Sequence, residues 1–161
     1  MRLVALLLTF ALLSLPAAAK NFAIPSDDPV ATISIPNNWE TDSIDFGYSA
    51  WSPGKDVFFA IEYADGKRFD RMMKVNDQWM KERGFKDIKG PAKMDWDFQG
   101  LKGEVLIFKA KNEGEDTQID FIFIPGGKGR VIMLTVWGSD EERKTEEAAL
   151  NGIIASVKPI R

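Results

Sequence analysis

Three stretches in the second half of the chain, residues 102–111, 118–124 and 130–137, alternate as strands do yet are apolar on both faces. Val105 and Ile107 oppose Leu106 and Phe108, and Phe121 and Phe123 oppose Ile122 and Ile124. A strand that is apolar on both sides needs both faces of its sheet covered. These segments are therefore expected at the centre of a layered molecule, with other elements above and below.

The remaining pattern supplies those elements. Residues 31–35 alternate, with Ile33 and Ile35 on one face, and stop at Pro36-Asn37-Asn38. Residues 43–51 read as one strand with Ile44, Phe46, Tyr48 and Ala50 on a common face, and Pro53-Gly54 turns the chain into a third strand over 56–63. From there the period changes. Phe69, Met72, Met73, Asn76, Met80 and Arg83 recur at helical spacing, which predicts a helix over 68–83 with Gly84 as a left-handed cap and Phe85 folding back on Met80. Lys89-Gly90-Pro91 reads as a linker, 94–99 as a strand and 112–116 as a polar loop. Ser139 and Glu142 form a capping box that opens a final helix. That helix carries Leu150, Ile153, Ile154 and Val157 on one stripe and ends at Pro159. Gly152 inside it is expected to mark close approach to the sheet.

The amino terminus reads as an export leader. Arg2 precedes an apolar run from Leu3 to Leu15, Pro16 ends it, and Ala17-Ala18-Ala19 offers small residues for a peptidase. Residues 1–19 are expected to be removed, leaving one domain over 20–161. The apolar run is shorter than the roughly 20 residues a membrane span needs. No membrane span is expected after cleavage, and the periplasm, or full secretion, is the expected destination. The chain has no cysteine. That excludes a lipoprotein anchor and leaves the core alone to hold the fold. With 21 basic and 24 acidic side chains and no basic run, nucleic acid is not an expected partner.

Four features belong together: Ile33-Ser34-Ile35-Pro36-Asn37-Asn38-Trp39, the helix after the third strand, the antiparallel run ending Val131 to Trp137, and Ser139 with a last helix ending Ile153-Ile154-Ala155-Ser156-Val157. In these the chain resembles the Mog1/PsbP-like group, including its DcrB-like bacterial envelope proteins. The resemblance implies an α+β fold, with an antiparallel sheet of about six to seven strands sandwiched between helices. It also implies an accessory or interaction role without a shared catalytic set.

With no histidine and no cysteine, the chain can build neither Ser-His-Asp nor Cys-His triads, nor the usual structural zinc sites. Three groups remain. Asp95 and Asp97 share a strand face and could hold a hard cation or work as an acid–base pair, or be a solvated face. Gly126-Gly127-Lys128-Gly129 could cradle phosphate, but it leads into a strand and lacks P-loop spacing, so a hairpin loop is the better reading. Glu113, Glu115 and Asp116 cluster in a loop without an EF-hand pattern. Of the five tryptophans, Trp39 and Trp51 lie beside turns, where an aromatic can anchor a partner or plug the end of a sheet as core.

These observations lead to an exported, non-enzymatic accessory or interaction module, a monomer or weak oligomer without cofactor. Its expected partner is an envelope protein or complex. The alternative is a periplasmic carrier of a small apolar ligand, with Met72, Met73 and Met80 lining its pocket. A carboxylate-based hydrolase ranks behind both.

Overall fold

The structure, a computed structural model, describes residues 18–160. Apart from Ala18 and Ala19, the expected leader lies outside the described residues.

One antiparallel sheet of seven strands forms the middle layer. Its members are β3 (Glu40–Ile44), β4 (Gly47–Trp51), β5 (Phe58–Asp65), β6 (Lys86–Phe98), β7 (Leu101–Asn112), β8 (Glu115–Pro125) and β9 (Arg130–Gly138). They run in the order β3-β4-β5-β9-β8-β7-β6. The two-sided strands take the interior positions their composition demands: β9 is the middle strand, β8 adjoins it and β7 lies one in from the edge. Alternation sorts their side chains between two cores. Ile122, Ile132, Leu134 and Val136 point to one. Ile119, Phe121 and Met133 point to the other.

The second core is closed by α1 (Phe69–Glu82) through Met72 and Met80. The first is closed by a three-stranded sheet and two helices. The small sheet joins β1 (Ala19–Ile24), β2 (Ala31–Pro36) and β10 (Lys158–Pro159) in the order β1-β2-β10. The helices are α2 (Asp140–Thr145) and α3 (Glu147–Ser156), with Leu150 and Ile153 of α3 facing inward. The expected sandwich is thus present, with a small sheet sharing the layer of the last helices.

Local signals explain several element ends. At the end of α1, Phe85 N–H donates to the Met80 carbonyl at 3.4 Å and Gly84 N–H to that of Lys81 at 3.1 Å. With Gly84 at φ 76° this is a Schellman cap. At the start of α2, Glu142 N–H donates to Ser139 Oγ at 3.3 Å and Ser139 N–H to Glu142 Oε2 at 2.6 Å, completing the capping box.

Five expectations need correction. Residues 43–51 are not one strand. The chain reverses at Asp45-Phe46, so Ile44 pairs with Gly47 and the expected common face splits. Phe46 joins the α1 core while Ala50 joins the opposite one. Gly47 is needed there, because a Cβ would sit 2.0 Å from the Ile61 carbonyl oxygen. Lys89-Gly90-Pro91 is no linker but lies within β6, at register shifts against β7. Proline is tolerated there because β6 is an edge strand with no ladder to feed on one side. The polar loop over 112–116 shrinks to a two-residue hairpin at Glu113-Gly114, both at positive φ. The final helix is two helices, broken at Glu146, and Pro159 continues into β10, where it pairs with Ala31. Gly152 is exposed, and a Cβ there would meet nothing within 4 Å. It marks no approach to the sheet.

Candidate functional site

The motifs read from the sequence come to rest on the surface, apart from one another. Asp95 and Asp97 are exposed on edge strand β6, and Asp97 Oδ1 accepts from Gly100 N–H at 2.9 Å, shaping the β6–β7 turn. Glu115 and Asp116 begin β8, with Asp116 3.1 Å from Lys111 Nζ. Among the described residues no three His, Cys, Asp or Glu side chains converge as metal ligands would. Gly127–Gly129 forms a short 310 turn. Its Lys128 reaches Asp28 at 3.3 Å, and Arg130 reaches the same carboxylate at 2.9 Å. These two cations hold the Asp28 carboxyl below its usual range. The glycine-rich loop is therefore tied to the β1–β2 connection.

The two tryptophans part company. Trp39 is 1 % exposed inside the first core, so its place is that of a plug and not of a surface anchor. Trp51 is half-buried and borders a cleft of about 420 Å³ between α1 and strands β3, β4 and β5. Met72 and Met80 fill the core beneath α1, while Met73 packs at its margin. None of the three methionines lines that cleft.

The cleft is built by register. On the α1 side of the sheet, Ser49 stands opposite Ala60, Trp51 opposite Phe58, and Gly47 opposite Glu62. From the helix, Asn76, Trp79 and Arg83 descend at the spacing that puts side chains on one face. Its floor is Glu62, a carboxyl only 3 % exposed. Both Glu62 oxygens accept from Asn76 Nδ2, at 3.2 and 3.0 Å, and the same amide also donates to the Met72 carbonyl at 3.1 Å. Burial pushes the Glu62 carboxyl up from its ordinary 4.5 to about 7; the Asn76 donor opposes this rise and the charge of Asp45 adds to it.

The other end is aromatic. Phe58 stacks on Trp79 at 5.1 Å, and Trp51 meets Phe58 and Trp137 edge-on at 5.0 and 5.3 Å. The Arg83 guanidinium lies 5.1 Å from the Trp51 ring centre and 5.9 Å from that of Trp137. Trp137 is held in place by donating from Nε1 to Thr117 Oγ1 at 3.0 Å. An apolar cleft with a few convergent polar groups and a displaced carboxyl is the form a binding site takes. Glu62 and Asn76 were not singled out from the sequence, although both left a trace. One is a charge inside the apolar run Phe58 to Ala64, the other an amide on the apolar stripe of α1.

A seven-stranded antiparallel sheet with a helix on one face, and a small sheet and two helices on the other, is a Mog1/PsbP-like α+β fold. The structure is similar to the solution structure of the cyanobacterial PsbP protein CyanoP from Synechocystis, with a TM-score of 0.61 and 10 % identity over 91 % of this chain and 95 % of that one. It is also similar to the crystal structure of LpqN, a Mycobacterium tuberculosis protein involved in cell envelope biogenesis, with a TM-score of 0.58 and 14 % identity over 89 % of this chain and 92 % of that one. No protein-family model matches the sequence, and no curated protein matches it. At these identities the likeness is one of fold. No helix among the described residues is long and apolar enough to cross a membrane.

Proposed function

We propose that the protein is an exported, non-enzymatic binding module of the bacterial envelope, which docks on an envelope protein or complex through the cleft between α1 and β3–β5. In this reading residues 1–19 are the leader removed on export, and 20–161 is the domain that acts in the periplasm or beyond it, as a monomer or weak oligomer. The observation that carries the reading is the cleft itself. Trp51, Trp79 and Arg83 are residue types that dominate binding energy at interfaces, and here they line one concavity. The fold shared with an envelope-biogenesis protein of Mycobacterium tuberculosis supports the setting.

The carrier of a small apolar ligand is the second reading. The observation in its favour is size, since about 420 Å³ falls within the range of small-molecule sites. One experiment separates the two. A photo-crosslinking residue replaces exposed Val75 at the cleft edge, and the processed protein is irradiated in its native envelope and analysed by mass spectrometry. Docking predicts one protein attached in near-stoichiometric amount, with attachment abolished by Trp51→Ala combined with Arg83→Ala. A protein that stays free of any attached chain while carrying a small molecule in the cleft would replace docking with transport.

A further inference from the structure

The cleft has a chemical polarity that narrows its occupant. At one end Arg83 is already spread over two indole rings. At the other, Glu62 on the floor is joined by Asp45 of the β3–β4 turn, and Asp42 lies between the two ends, in register with Ser49 and Ala60. A carboxylate offers about four acceptor positions. Asn76 brings one amide nitrogen to the two Glu62 oxygens, leaving acceptor capacity for a ligand. Ile44 flanks the Glu62 end, and Phe58 and Trp79 extend the aromatic end toward it as an apolar wall.

From this arrangement we infer that the cleft receives a primary ammonium group on an apolar stem, with Glu62 as its acceptor, presented as a lysine side chain of the docked partner. The lining carries three carboxylates against one guanidinium, so an anion would meet repulsion. Glu62 is already largely cut off from water and has one amide donor, so an occupant that brings further donors satisfies it where a neutral apolar one does not. An ammonium brings three donors in a compact head on a four-carbon stem, whereas a guanidinium needs a wide planar slot. The stem would lie along the Phe58–Trp79 stack, where the aromatic faces also favour a nearby cation.

Binding should depend on pH. The groups that face Glu62 are Asn76 from α1 and Asp45 from the β3–β4 turn, with Arg71 of α1 paired to Asp45 at 3.7 Å. Asp42 and Arg83 stand farther along the cleft, and β9 offers Met133, which is uncharged, opposite Glu62. Only an ionised Glu62 attracts an ammonium, so affinity should rise as pH increases through about 7.

The lysine source rests on the docking reading; the ammonium chemistry of the cleft does not. The processed protein is titrated near pH 8 with n-hexylamine, n-hexanol and hexanoate, while the backbone amides of Glu62 and Asn76 are followed by NMR. Hexylamine should bind about tenfold more tightly than hexanol, and hexanoate more weakly than either. Glu62→Gln, which keeps an acceptor for Asn76, should erase the preference for the amine, so that in the variant hexylamine and hexanol bind alike. Asp45→Asn, on an exposed turn, should reduce the preference in a protein that folds normally. Equal binding of amine and alcohol, or a preference that survives Glu62→Gln, overturns the inference. Mapping the Val75 cross-link supplies the second arm. A partner segment with a lysine at the cleft supports the assignment, and a segment without one refutes the lysine while docking stands. Amine selectivity with no attached protein refutes docking while the ammonium site stands.

Discussion

Glu62 costs the fold something, and the cost has a definite pH window. Its carboxyl titrates near 4.5 when exposed and at about 7 in the folded protein. Below 4.5 both states are protonated and the residue is neutral to stability. Between 4.5 and about 7 the unfolded chain releases the proton that the folded chain keeps, so stability falls as pH rises. The loss is on the order of 3 kcal/mol and is complete above about 7. Asp28 and Asp65 work in the opposite direction, since their lowered carboxyls favour the fold above their ordinary 3.8; their effect is felt below this window. Glu62→Gln should flatten the decline, and urea melts near pH 5 and pH 8 check it: the variant gains on the parent only at the higher pH. Gly152 is a second correctable residue. It is exposed inside α3 with free space around it, so Gly152→Ala should raise stability by about 1 kcal/mol, measured by the same melts. From the sequence alone Gly152 looked like a packing contact, because composition shows that a glycine is present but not what surrounds it. Asn76 was placed on the right face of its helix, yet its partner was invisible, since Glu62 lies on a separate strand.

At the scale of elements, legibility followed the strength of local signals. Helix α1 was readable to within a residue at each end because its apolar spacing and the Gly84 cap agree. The capping box located the start of α2 for the same reason. The break at Glu146 was not readable, because glutamate is a good helix former and nothing in its type announces a bend. The β3–β4 hairpin was hidden because a two-residue turn lets the apolar alternation run on through the reversal. That turn brings β4 close enough to β5 that Gly47 admits no side chain. Gly47→Ala should push β4 from Ile61 and cost about 3 kcal/mol. Thermal unfolding reads the loss, and hexylamine binding should weaken with it, because Ser49 and Trp51 on β4 form one wall of the cleft.

At the scale of the whole molecule, the three two-sided strands were sufficient to predict a covered sheet, since burying both faces allows few other arrangements. What covers the sheet was less legible. Strand β1 has a short, weakly alternating sequence next to the leader and was not anticipated, although it pairs with β2 from Ala19↔Pro36 to Ile24↔Ala31. It contributes Ile24, 1 % exposed, to the first core. A chain beginning after Ile24 should therefore lose about 3 kcal/mol, seen as a lower midpoint in urea, whereas one beginning at Lys20 should keep parental stability. The cleft was the least legible feature, because its walls come from residues as distant in the chain as Ile44, Glu62 and Arg83, and no local pattern records their meeting.

The partition of side chains by the sheet has an optical consequence. Trp51, Trp79 and Trp137 lie on the α1 side, with ring centres 5.3 Å apart for the first and third and 5.9 Å for the second and third. Trp39 is sealed on the other side, and Trp96 packs against that same core. Indoles this close exchange excitation energy and couple their transitions, so the near-ultraviolet circular dichroism should be dominated by the triplet. Trp39 should emit as a blue-shifted, quencher-resistant lamp. Each half of the molecule thus carries its own chromophores: filling the cleft should perturb the dichroic triplet and leave the emission of Trp39 in place.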